Sequence, residues 1–132
     1  MEEQAAAERV SMYVTRGCLV VPIQVELSDE LALRVQQDVL HRVCRGGVSG
    51  VVIDVSGVMV IDSVLARIIF DTAKMATLLG TRAVVSGLGP GVAASLTDLD
   101  FDPEDVPTAI SLEEGLRMLE GAVSEEEEEG CQ

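Results

Sequence analysis

The sequence predicts a single α/β domain, a mixed β-sheet with helices packed mainly on one face. Three observations carry this. Val51, Val52, Ile53 and Val55 form a β-branched run; such near-continuous apolar runs belong to strands covered on both faces. Around them lie segments whose apolar residues recur at helical spacing between Ser, Asp and Gly signals. Aromatic residues are almost absent, with no Trp, one Tyr and two Phe in 132 residues. The core must therefore be built from Val, Leu, Ile and Ala.

Residues 1–9 read as an N-terminal arm. The folded domain is expected over 10–123. Ser11 to Thr15 and Cys18 to Val25 read as two extended segments joined by Arg16-Gly17, a hairpin link. Pro22 gives no ladder N–H, which points to an edge strand or a bulge there. Ser28 to Arg45 reads as a helix: Ser28 is the N-cap, Asp29 and Glu30 occupy the first turn, and Leu31, Val35, Val39 and Val43 form a stripe. Arg42 and Arg45 near its end complement the helix dipole, and Gly46-Gly47 stops it. His41, the one histidine, reads as a surface residue. Gly50 to Val55 is the central strand. Ser63 to Leu79 is the next helix, with Val64, Leu65, Ile68, Ile69, Ala73, Ala76 and Leu79 as its apolar residues and Gly80 as its stop. Thr81 to Ser86 is a strand, Gly87 to Gly91 a turn with Pro90 suited to a first helical turn, and Gly91 to Leu99 a short helix. After a loop with two prolines, Thr108-Ala-Ile110 reads as a short strand. Ser111-Leu-Glu-Glu114 is a capping-box pattern that opens a last helix to about Val123. The tail, 124–132, is expected to be a disordered, solvated end, because its like charges repel and nothing in it can be buried.

Charge and length exclude several classes of function. The formal net charge is −14. Without Glu125 to Glu129, 18 acids still face 9 bases, a net −9. Such a surface disfavours nucleic acid, whose affinity needs cations against phosphates, and an anionic membrane. It suits a basic partner surface. No apolar stretch reaches the roughly 18 residues a span needs, and Met1-Glu-Glu-Gln does not read as a signal peptide. Cys18, Cys44 and Cys131 have no zinc-ligand spacing. Free thiols without a signal peptide point to a reducing cytoplasm.

The segment from Asp54 to Ser63 concentrates the chemistry. A buried strand leads through a short loop to a serine at a helix start, beside unpaired N–H groups and the positive end of the dipole. A phosphate there can be held without a dedicated basic side chain. The plainer reading of Ser63 is capping, since Ser and Asp oxygens commonly accept the first free N–H bonds. Gly87-Leu-Gly89-Pro-Gly91 has the setting of a phosphate loop but not its spacing, because Val92 stands where a glycine is needed. Asp54, Asp62 and Asp71 are joined by no His or Cys at ligand spacing. No catalytic residue, cofactor or metal is assigned.

Val51-Val-Ile-Asp-Val-Ser56, then Ile61-Asp62-Ser63, then Ala83-Val-Val-Ser-Gly-Leu-Gly-Pro-Gly-Val-Ala-Ala-Ser95, together with Cys18-Leu-Val-Val-Pro-Ile-Gln-Val-Glu-Leu27, resemble the STAS domain of anti-sigma-factor antagonists over roughly residues 10–122. Within that superfamily the likeness is to the small stressosome proteins of the RsbS type; the scaffold paralogues carry an N-terminal sensor domain for which 132 residues leave no room. The resemblance implies a non-catalytic, phosphorylation-controlled switch. The phosphorylated serine is Ser63, preceded by Asp62. A second position, a threonine in the larger paralogues, falls on Ser95, whose plainer reading is a polar residue on a short helix. The implied partners are a serine/threonine kinase of the histidine-kinase-like ATPase class, STAS-domain scaffold paralogues and copies of the chain itself, with Asp62, Ser63 and Arg67 on the binding surface. Two other readings stand beside it: a constitutive STAS subunit of another complex, such as a membrane-transport one, and a small-ligand or nucleotide-binding STAS domain.

Overall fold

The computed structural model describes residues 11–23, 27–101, 103 and 106–120. The predicted arm at 1–9, the strand extension at 24–25, the end of the last helix beyond 120 and the tail at 124–132 lie outside these. The strands are β1 (Tyr13–Thr15), β2 (Cys18–Pro22), β3 (Gly50–Asp54), β4 (Arg82–Ser86) and β5 (Thr108–Ala109). The helices are α1 (Asp29–Cys44), α2 (Ser63–Leu78), α3 (Pro90–Asp98) and α4 (112–120). The sheet runs β1-β2-β3-β4-β5, with β1 antiparallel and every other pairing parallel.

This order explains the layering. Parallel strands that advance one way across a sheet through right-handed connections place their crossover helices on the same face. Strand residues alternate accordingly. Leu19, Val21, Val51, Ile53, Ala83 and Val85 pack with α1, α2 and α3, while Cys18, Val20, Val52 and Val84 face the other side. That second face is covered by α4, through Leu116 and Leu119. No strand follows α4 among the described residues, so the handedness constraint does not bind it. It lies close against the sheet: a Cβ on Gly50 would stand 2.8 Å from Leu119 Cδ1, and one on Gly115 would stand 3.3 Å from Ser86 Cβ. Arg16 in the β1–β2 turn reaches Glu113 and Glu120 of α4 at 3.4 and 3.5 Å. The hairpin is as predicted, with Arg16 (φ 53°) and Gly17 (φ 77°) both left-handed.

Pro22 requires a correction. β2 is an interior strand in unbroken register with β3 and has no bulge; only its end at Val21–Pro22 lies beyond β1 and is open on that side among the described residues. The proline is tolerated because it ends the strand, beyond the Cys18–Val20 stretch that β1 pairs. The next N–H, from Ile23, reaches Asp54 O at 2.8 Å.

The caps follow the sequence closely. Ser28 Oγ accepts the Leu31 N–H at 3.1 Å, and the Arg42 guanidinium donates to Gly46 O at 2.7 Å. Ser111 Oγ accepts the Glu114 N–H at 3.1 Å, but the Glu114 carboxylate binds Arg117 at 3.0 Å, so the capping box is only half made. His41 is exposed, as expected. In α2 the apolar stripe differs at its ends: Val64 and Leu79 are exposed, whereas Phe70 and Thr72 are buried. Thr72 Oγ1 accepts the Gln36 Nε2 donor at 3.0 Å, a buried polar tie between α2 and α1. Phe70 meets Phe101 at a ring-centroid distance of 5.0 Å. Burial raises the pKa of the Cys18 thiol, with a hydrogen bond involving Ser49 opposing the rise and the Glu120 charge adding to it.

With so few aromatics, Phe70 fills a space no neighbour can close. Phe70→Ala is expected to lower the unfolding free energy by about 3–5 kcal/mol in urea denaturation followed by circular dichroism.

Candidate functional site

The site begins where the parallel strands end. Asp54 and Ser86 stand side by side at the ends of β3 and β4. Ser86 Oγ donates to Asp54 Oδ1 at 3.2 Å; Ser56 Oγ donates to Asp54 Oδ2 at 2.9 Å and Ser56 N–H to Oδ1 at 3.3 Å. One carboxylate thus takes three donors and turns the chain out of β3. Val55 N–H reaches Ser86 O at 2.8 Å, and Val58 N–H closes a turn on Val55 O at 2.9 Å. Val58 and Ile61 are buried and anchor the loop. Between them, Met59 and Val60 are 78 and 59 % exposed.

Two glycines make room for this loop. Gly87 is left-handed at φ 80°, and a Cβ there would stand 2.5 Å from Asp54 Oδ1 and 2.6 Å from Ser56 N. A Cβ on Gly91 would overlap Met59 O. The Gly87–Gly91 segment is therefore a close strand-to-helix turn packed on the loop, with Gly89 as the N-cap of α3 and Pro90 in its first turn. This agrees with the tight turn read from its spacing.

At the start of α2 the structure separates two roles that the sequence left merged. Asp62 is the N-cap: its Oδ1 accepts the Leu65 N–H at 2.7 Å, and its carbonyl accepts the Ala66 N–H at 2.9 Å. Ser63 is the first helical residue, exposed, and its hydroxyl makes no hydrogen bond among the described residues. The capping reading of Ser63 is thus replaced: the carboxylate one residue earlier does that work, and the hydroxyl is left free. Val64, 46 % exposed, joins Met59 and Val60 as exposed apolar residues flanking Ser63 in sequence.

Arg67 follows Ser63 by one turn and is exposed. Ser63, Arg67, Asp71 and Lys74 line one wall of a groove of about 230 Å³, with Leu99, Asp100 and Phe101 across it. On the other side of the helix start, Asp62 lines a cleft of about 170 Å³ with Leu27, Val60 and Leu65. The structure therefore brings Ser63 and Arg67 together on one groove and commits the Asp62 carboxylate, on the other side of the helix start, to the Leu65 N–H. Ser95 is not part of that groove. It lies within α3, half-buried, and its Oγ donates to Gly91 O at 2.9 Å. Asp54, Asp62 and Asp71 do not converge, and among the described residues no group of three His, Cys, Asp or Glu is placed to hold a metal ion.

The sequence reading missed the Asp54 hub and the exposed Met59-Val60 pair. The signals were present: an acid ending a β-branched strand, with hydroxyls at 56 and 86, and two large apolar residues inside a loop.

Asp62→Ala is expected to cost about 1 kcal/mol of stability through the lost cap. Ser63→Ala should stay within about 0.5 kcal/mol of the parent; thermal unfolding of the two variants checks the assignment. Gly87→Ala, forcing a side chain into a left-handed position against Asp54, should cost more than about 1 kcal/mol and speed amide exchange over 56–61.

The STAS domain profile matches residues 9–130. Among curated proteins, the chain is 30 % identical over 105 residues to the RsbT co-antagonist protein RsbRD of Bacillus subtilis, covering 80 % of this chain and 38 % of that protein. It is 28 % identical over 104 residues to RsbRA of the same organism, covering 79 and 38 %. The chain thus spans about two fifths of the length of these relatives. Among solved structures, it superposes on a serine-to-glutamate variant of RsbS from Moorella thermoacetica with a TM-score of 0.77 and 30 % identity, covering 88 % of this chain and 98 % of that one. A chain of the stressosome, described as a signal integration and transduction hub, matches with a TM-score of 0.71 and 28 % identity, covering 86 and 98 %. No helix among the described residues is long and apolar enough to cross a membrane. With its fold, its residue pattern and its relatives in agreement, the chain belongs to the STAS domain family, and the relatives it resembles at about 30 % identity are stressosome proteins.

Proposed function

We propose that this chain is a phosphorylation-controlled protein-binding switch. Unmodified, it holds a serine/threonine kinase of the histidine-kinase-like ATPase class in a stressosome-like cytoplasmic assembly with STAS-domain scaffold paralogues and further copies of itself. Phosphorylation of Ser63 releases the kinase. The chain is then a substrate of phosphoryl transfer, not an enzyme: Ser63 Oγ takes the γ-phosphoryl group of ATP, loses its proton, and ADP leaves.

One observation carries this reading. The Ser63 hydroxyl is exposed and unbonded while Asp62 performs the capping. Esterifying it breaks no internal contact, so the domain accepts either state. Its sequence neighbours give the modification its effect. Met59, Val60 and Val64 offer exposed apolar surface of the kind a partner covers. A phosphate adds about −1.5 to −2 charge beside them, and a charge set into an apolar interface costs desolvation and repulsion. A penalty of only about 1.4 kcal/mol weakens a partner tenfold. Ser95 is a lesser candidate for modification, since its hydroxyl is already bonded within α3.

The test is incubation with the cognate kinase and ATP, with the phosphate located by mass spectrometry. Phosphate is expected on Ser63 and absent from Ser63→Ala, which should still fold and bind the kinase. Ser63→Asp should bind at least severalfold more weakly. Undiminished phosphate on Ser63→Ala, or equal affinity of the phosphorylated and unmodified chains, overturns the proposal.

A further inference from the structure

The groove beside Ser63 holds two cations, Arg67 and Lys74. Among the described residues, neither Arg67 nor Lys74 makes an ion pair or a side-chain hydrogen bond. Both line the same groove as Ser63, together with Asp71 and Asp100. An α-helix turns about 100° and rises about 1.5 Å per residue. Arg67 therefore lies about 40° around from Ser63 and about 6 Å along the axis, the spacing at which i and i+4 side chains meet. Lys74 lies on nearly the same line but about 16 Å away, about twice the screening length at physiological salt. Asp71 stands four residues beyond Arg67, so the guanidinium has an acid one turn ahead of it and the serine one turn behind.

We infer that Arg67 is the internal receptor for a phosphate on Ser63, drawing it along the α2 groove. This rests on Ser63 being the modified residue and specifies where the new charge goes. A guanidinium binds phosphate oxygens with two parallel N–H donors, and a phosphate near −2 outcompetes the single charge of Asp71. Modification then changes two features at once. It adds an anion, and it withdraws from the outer surface the cation nearest the exposed serine. A partner that used Arg67 would lose that contact as it met the new charge. Arg67 so placed is a positioning residue; it takes no part in the phosphoryl transfer.

The test needs no kinase. Phosphoserine is installed at position 63 by genetic code expansion in the full chain, and its second ionisation is followed by phosphorus NMR. Among the described residues, the charged groups that share its groove are Arg67, Asp71 and Lys74 on α2 and Asp100 across it, while the Asp62 carboxylate next in the chain is tied to the Leu65 N–H on the other side of the helix start. The free N–H groups at the helix start act equally on every variant and cancel. A bound guanidinium favours the dianion, so Arg67→Ala should raise the apparent pKa by roughly 0.5 unit, the size of a charge-assisted i,i+4 pair. Arg67→Lys should recover part of that shift, and Lys74→Ala should move the pKa by less than half as much as Arg67→Ala. An Arg67→Ala titration that superposes on the parent, or an equal shift from Lys74→Ala, overturns the inference. These results concern only where the phosphate lies. Failure of the kinase to modify Ser63 is a separate outcome, and it counts against the proposed function alone.

Discussion

The site depends on one carboxylate. Asp54 ends β3, accepts hydrogen bonds from Ser86 at the end of β4 and from the backbone and hydroxyl of Ser56, and so fixes how the chain leaves the sheet. A charge-assisted hydrogen bond is stronger than a neutral one, and three donors on one group leave the chain little freedom of direction. The missing side chains of Gly87 and Gly91 permit the close approach of β4 and α3 to this loop. The loop then has two fixed points, Val58 and Ile61, and between them Met59 and Val60 are held outward. Strand ends, turn and helix start thus act as one rigid mount for a short exposed surface.

Energetic roles within the mount are divided. Asp62 closes the helix start, an interaction worth about 1 kcal/mol. Ser63, next in the chain, contributes no such bond. The hydrophobic layers supply the stability elsewhere, through alternate strand residues packed against α1 and α2 on one face and α4 on the other. The exposed Ser63 hydroxyl is thus separate from the groups that hold the domain together. A domain of this size has only a few kcal/mol to spare, and a switch built on a capping hydroxyl would draw on that margin each time it changed state.

Much of this was legible in the sequence. The strand at 50–54 showed as a β-branched run because both its faces are covered, and α1 showed through Ser28 and its stripe because local capping and periodicity agree there. What was not legible came from contacts between distant segments. Pro22 argued for an edge, but only the shortness of β1 decides that an interior strand can end on a proline. Phe70, Thr72 and Gln36 fall outside simple stripes; Thr72 and Gln36 meet where α1 packs on α2, and Phe70 meets Phe101 from beyond α3. The start of α2 was read as a serine cap because Asp62 and Ser63 are both good caps; a one-residue shift in helix start decides between them, and element boundaries are the weakest part of any sequence reading. The placement of α4 on the opposite face had no sequence signal beyond Gly50 and Gly115, whose meaning appears only once the helix is seen against the sheet.

An oxygen that fastens nothing has a consequence for time as well as for shape. A group esterified there would displace no hydrogen bond among the described residues, so the fold would be under no strain to expel it. The persistence of such a mark is set by the hydrolytic lifetime of a bond and by the catalysts that write and remove it.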